Sequence, residues 1–122
     1  MKQQRTTENY LKTIYLLSKR NEVRGTDIAE YLGVSRPTVS VSLKSLEREG
    51  YLYLDSFHEV HLTAEGERIA KSIYEKNRIF RDLLIKLGVD EDTAERDACE
   101  MEHAVSVESF SSLKQFINSL DG

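Results

Sequence analysis

Apolar residues return every three or four positions along most of this chain, the period of a helix with one buried face. Tyr10, Leu11, Ile14, Tyr15 and Leu17 form the first such stripe, with Thr7 as its expected N-cap and the cations Lys19 and Arg20 at its expected C-terminus. After a loop over 21–24, Thr26 is the expected cap of a short second helix through Ile28, Ala29, Tyr31 and Leu32, closed by Gly33 in a left-handed conformation. Ser35 is the expected cap of a third helix that carries Pro37 in its first turn, where a missing N–H costs nothing. Val39, Leu43 and Leu46 are its stripe, and Gly50 its stop.

The period then changes. Residues 51–54 and 59–62 are short runs rich in aromatic, leucine and β-branched residues, joined by Asp55-Ser56-Phe57-His58, and this predicts a small β-hairpin. Thr63 opens a long helix with Ile69, Ile73, Phe80, Leu84 and Leu87 on one face, ended by Gly88. A fifth helix is expected over 92–103, begun by the acidic Asp90, Glu91 and Asp92, and Ser106 is the expected cap of a sixth with Phe110, Leu113, Phe116, Ile117 and Leu120 as its stripe. The expected fold class is mainly α, with a winged helix-turn-helix domain over 1–71 followed by a helical domain over 72–122.

Composition narrows the class. The 122 residues are 39% hydrophobic and 31% charged, with one proline and six glycines, which favours a small helical globular protein. No apolar run approaches the roughly 20 residues of a membrane helix, and the first seven residues are polar, so a cytoplasmic location and no membrane partner are expected. A single cysteine, Cys99, excludes an intrachain disulfide. The net charge of −4 is unevenly spread: residues 1–50 hold nine Lys or Arg against six Asp or Glu, and residues 63–122 hold eight against thirteen. The front half is therefore the part suited to a polyanion.

Two short helices joined by Gly33-Val34-Ser35 and followed by a hairpin have the order of a DNA-binding unit whose second helix enters the major groove. Its leading residues suit that task. The hydroxyls of Ser35, Thr38, Ser40 and Ser42 can bond bases or phosphates, Arg36 can reach guanine or phosphate, Val41 can meet a thymine methyl, and Pro37 fixes the first turn. Lys44 and Arg48 follow as phosphate partners. The hairpin tip has no Lys or Arg, and His58 and His61 are expected to face solvent as hairpin residues rather than to ligate metal.

In the fifth helix, Cys99, Glu102 and His103 stand at i, i+3 and i+4, on one helical face, with Glu95 one turn earlier. Thiolate, carboxylate and imidazole together suit a divalent transition metal, while a small buried cysteine beside a solvated Glu and His reads the same residues without one. A Cys–His pair would need an oxyanion site and a substrate cleft to be catalytic, and a chain so small and helical signals neither, so no enzyme activity and no small organic substrate are expected. The apolar stripes of 64–120 (Phe80, Leu84, Phe110, Leu113, Ile117) exceed what so short a domain buries within itself, which predicts a two-fold homodimer.

Four segments carry a family likeness: Thr6-Thr7-Glu8-Asn9-Tyr10-Leu11-Lys12-Thr13-Ile14-Tyr15, Ser35 to Ser40, Leu62-Thr63-Ala64-Glu65-Gly66, and Asp97-Ala98-Cys99-Glu100-Met101-Glu102-His103. Together they resemble the iron- and manganese-dependent repressors of the diphtheria-toxin-repressor type, in a short form without an SH3-like third domain. The resemblance implies a DNA-binding domain, a helical dimerisation and metal-binding domain, and a metal-dependent repressor of metal-ion uptake genes on a palindromic operator in double-stranded DNA. It implies a metal site of Asn9, Cys99, Glu102 and His103, taking manganese or iron, with zinc, cobalt or nickel as further candidates. A second first-helix carboxylate and a long-helix histidine of the family fall on Lys12 and Asn77, and an ancillary site would fall on Asn77, Arg81 and Glu95. Arginine cannot ligate, so one metal or none is expected rather than two. The competing readings are a winged-helix regulator that has lost metal control, and an interaction module that binds no DNA.

Overall fold

The computed structural model describes residues 2–121, and the chain divides into two compact units with their boundary between Lys71 and Ser72. The first unit opens with α1 (Lys2–Ser18). The helix starts five residues before the expected cap: Lys2, Gln3, Gln4 and Arg5 are good helix formers with no breaker among them, and Thr7 lies inside the helix, half-buried. It also stops before Lys19, in a turn closed by Arg20 and Asn21 N–H groups on the Leu17 carbonyl. Next comes α2 (Gly25–Leu32), with Arg24 rather than Thr26 as its N-cap. Here the capping group comes from inside the helix, because the Asp27 carboxylate reaches back to the Arg24 N–H at 2.8 Å. Gly33 closes it at φ 69°, as expected for glycine at that position.

In α3 (Arg36–Arg48) the expected cap holds: Ser35 accepts from the Thr38 N–H, and Pro37 stands in the first turn. Strands β1 (Leu52–Leu54) and β2 (Val60–Leu62) pair antiparallel, with Leu52 opposite Leu62, Tyr53 opposite His61 and Leu54 opposite Val60. The Val60 N–H donates to the Val23 carbonyl at 2.7 Å, tying the wing to the loop before α2. Thr63 then caps the next helix, donating to the Gly50 carbonyl at 2.7 Å and accepting from the Gly66 N–H at 3.2 Å. Gly66 is required there by close approach, since a Cβ would fall 2.0 Å from the Tyr51 carbonyl oxygen. The core of this unit gathers Tyr10, Ile14, Val23, Ile28, Val39, Leu43, Leu46, Leu52 and Val60 from every element.

Helix α4 (Ala64–Lys86) runs from the first unit into the second, which adds α5 (Glu91–Met101) and α6 (Val107–Asp121). Asp90 caps α5 by accepting from the Thr93 N–H, and Ser106 caps α6 by accepting from the Ser109 N–H at 3.1 Å. The core here is small: Phe80, Ala98 and Phe110, with the two rings edge to face at 5.8 Å. Phe80 and Phe110 therefore leave the outward stripe expected of them and pack on each other beside Ala98. Among the described residues of this unit, the large apolar side chains left exposed are Ile85, Leu87, Val107, Leu113, Phe116 and Leu120. Among the described residues, no helix is long and apolar enough to cross a membrane.

Candidate nucleic-acid interface and metal centre

The third helix has two opposite faces. Val39, Leu43 and Leu46 are buried in the first core, while Arg36, Pro37, Thr38, Ser40, Val41, Lys44 and Arg48 are exposed. Arg36, Ser40, Lys44 and Arg48 follow at intervals of four, so three cations and a hydroxyl form one outward row. Val41 is 70% exposed, an unusual position for valine in a helix otherwise sorted by polarity. Ser35 and Thr38 are linked by a 2.7 Å hydroxyl–hydroxyl hydrogen bond, so part of their bonding capacity orders the helix start. Ser42 is half-buried and lines a cleft with Thr6, Thr7, Tyr10 and Ser45.

A second cleft lies at the other flank of this helix, lined by Arg24, Thr26, Arg36, Ser40 and His58. Arg24, Thr26 and His58 were not among the expected interface residues. Their signal was weak, because only folding brings the α2 start and the hairpin turn beside Arg36. His58 sits in the turn rather than on a strand, at φ 63°.

Asp55 closes that turn by accepting from the N–H groups of Phe57 at 2.8 Å and Glu59 at 3.0 Å. Its other oxygen meets His61 Nε2 at 2.8 Å, and the imidazole is stacked on Tyr53 at 5.1 Å. The His61 hydrogen bond, helped by the backbone donors, holds the Asp55 carboxyl down at about 2. The ligand-type atoms of Asp55, Glu59 and His61 lie within 4.8 Å of one another, and the His61 side chain, 39% exposed, still reaches solvent while bonded to Asp55. Their hydrogen bonds are those that shape the wing.

In the second unit, Glu102 is fully buried and the His103 side chain is 6% exposed, with His103 Nε2 3.4 Å from Glu102 Oε2. Cys99 is half-buried. Helix α5 ends at Met101, with Glu102 as its C-cap still in helical conformation, so His103 lies in the turn beyond rather than in the helix itself. Across from them on α4, Asn77 donates through Nδ2 to Glu102 Oε1 at 3.0 Å and to Cys99 Sγ at 3.7 Å. One turn along, Arg81 meets Glu95 Oε2 at 2.7 Å, Glu91 Oε1 at 3.1 Å and Asp82 Oδ1 at 3.2 Å. Glu95 is thus engaged by a guanidinium. Asn9 is half-buried on α1, its main-chain carbonyl accepting from Thr13 Oγ1 at 2.7 Å.

A buried carboxylate needs cationic or N–H partners, and one set beside a thiol and an imidazole offers a divalent transition metal three donors of suitable chemistry. Comparison with known proteins agrees with both halves of this picture. Residues 3–56 match the family described as iron dependent repressor, N-terminal DNA binding domain, and residues 63–121 match its metal binding and dimerisation domain. The chain belongs to the iron-dependent repressor family. That family is one of transcriptional regulators. The transcriptional regulator MntR of Escherichia coli O157:H7 is 39% identical over 110 residues, covering 89% of this chain and 71% of that protein. The diphtheria toxin repressor of Corynebacterium glutamicum is 36% identical over 105 residues, covering 84% of this chain and 46% of that one. Among solved structures, the manganese regulator SloR superposes with a TM-score of 0.81 at 35% identity, covering 92% of this chain and 53% of that one. A manganese-dependent transcriptional repressor in complex with manganese gives the same TM-score, 0.81, at 29% identity. The chain spans about half the length of these solved structures.

Proposed function

We propose that this chain is a metal-dependent DNA-binding transcriptional regulator, a repressor of metal-ion uptake genes that binds a palindromic operator as a homodimer. The observation that carries this is the outward row Arg36, Ser40, Lys44 and Arg48, with Thr38 and Val41 beside it, on a helix whose other face is locked into a core. Its cations give affinity for phosphates, and its hydroxyls and the Val41 methyls supply base readout. Ser35 and Pro37 set the direction in which the row is presented. The two-fold operator follows from a two-fold protein, for which the exposed Leu113, Phe116 and Leu120 of α6 supply an apolar face.

Cys99, Glu102 and His103 are the proposed ligands. The family resemblance adds Asn9 as a fourth donor, an expectation that rests on the sequence. Bound metal would supply a fixed charge that biases the protein toward its DNA-binding conformation. A set mixing thiolate with carboxylate and imidazole suits iron, cobalt, zinc or nickel as well as manganese.

The test is a gel shift on a site selected from random duplex DNA, run with chelator and with manganese, iron(II), cobalt or zinc. Arg36→Ala and Thr38→Ala should each weaken binding by about 1 to 3 kcal/mol per lost base contact, and His103→Ala should abolish metal stimulation while sparing metal-free affinity. If parent and His103→Ala respond identically to every metal, the regulator is metal-independent. Equal binding by parent and the Arg36/Thr38 double variant removes the interface assignment.

A further inference from the structure

The donor capacity of Asn77 is committed in a way that bears on the metal centre, on the reading that Cys99, Glu102 and His103 hold a divalent ion. Asn77 is 6% exposed and lies on α4, opposite α5. A carboxylate only accepts hydrogen bonds, so the amide group facing Glu102 Oε1 at 3.0 Å has to be NH2, and its second N–H is the one directed at Cys99 Sγ, 3.7 Å away. One planar group thus spans Cys99 on α5 and Glu102 at its C-cap, three residues apart. With its NH2 end turned to them, the amide oxygen faces elsewhere, so Asn77 acts on the centre as a donor and not as a ligand.

The helix pairing has other supports. Arg81, one turn along α4, grips Glu95 and Glu91 of α5, and Phe80 shares a core with Ala98. What Asn77 adds to these is local: it fixes the rotamer of a fully buried Glu102 and the direction of the Cys99 sulfur. Groups that orient metal ligands in this way commonly contribute one to two orders of magnitude in metal affinity.

We propose that Asn77 is a positioning residue of the metal centre, its two amide N–H groups holding Cys99 and Glu102 in register for a single divalent ion. Cobalt(II) reports this directly, because a cobalt–thiolate bond gives a charge-transfer band in the near ultraviolet. Titrating the metal-free full chain with cobalt alone should show one equivalent bound with that band. In Asn77→Ala the apparent Kd should rise about 10- to 100-fold. The band per bound cobalt should also weaken, a change that loss of packing alone does not produce in a protein still folded by circular dichroism. Asn77→Ser keeps one hydroxyl donor and should fall between the two; it carries the same test if Asn77→Ala does not fold. A folded Asn77→Ala with the parent's Kd and band overturns the positioning role while leaving the metal reading in place. A parent with no cobalt–thiolate band overturns the metal reading and this proposal with it.

Discussion

The unit over 1–71 buries hydrocarbon, and the unit over 72–122 buries hydrocarbon and function together. In the first, Leu11, Ile14, Val23, Ile28, Val39 and Leu52 are almost fully enclosed, and the buried hydroxyl of Thr13 is satisfied within its own helix. The row proposed to meet DNA, Arg36, Ser40, Lys44 and Arg48, sits outside that core, on the far side of α3. In the second, the core of Phe80, Ala98 and Phe110 is small, and beside it lie Asn77 and a completely buried Glu102. Burying a carboxylate is costly, and leaving Phe116 61% and Leu120 66% exposed forgoes burial that a helix of this length would otherwise supply. On the proposed function, the first unit would meet DNA through residues outside its core, while the second would hold the ion beside its own core.

That contrast can be broken or sharpened by measurement. The largest effect belongs to the first core: Ile28→Ala, at a site with no exposure, should destabilise the chain by about 2 to 5 kcal/mol in urea unfolding, equally with and without metal. Recovery of that loss on adding cobalt would erase the distinction between the units. Next, Phe116→Asp removes a ring that a second copy would bury, worth about 1.5 to 3 kcal/mol per side chain. Sedimentation should then show a weaker dimer with helix content unchanged, and an unaltered dimer would place the partner surface elsewhere. The smallest effect is at the edge of the interface. Ser35→Ala should cost about 1 kcal/mol of stability through the lost cap, and Ser35→Asn should restore it. If Ser35→Asn regains stability but not operator affinity, Ser35 touches DNA as well as capping α3.

Element order, the hairpin and most helix ends were legible because each has a local cause. Ser35, Thr63, Asp90 and Ser106 cap as their hydroxyl or carboxylate chemistry dictates, and Gly33, Gly50 and Gly88 take the positive φ that ends helices. Thr7 and Thr26 failed as caps for an equally physical reason: a threonine is also tolerated inside a helix, and nothing in their neighbours distinguishes the two uses. Of the proposed interface, the outward row of α3 could be read from periodicity, whereas the cleft that Arg24, Thr26 and His58 form beside it could not, since only folding brings them to Arg36.

What the sequence determined by itself was whatever depends on neighbours along the chain: the 3.6-residue stripes, the caps, the turn before the recognition helix, and the set of Cys99, Glu102 and His103 at one end of α5. Tertiary structure alone decided the rest. It turned Phe80 and Phe110 inward, where each ring buries its apolar surface against the other, and it joined His61 to Asp55 across the hairpin turn. It also directed Asn77 of α4 at two residues of α5 more than twenty positions away, because a buried carboxylate draws an N–H donor from whichever helix lies against it.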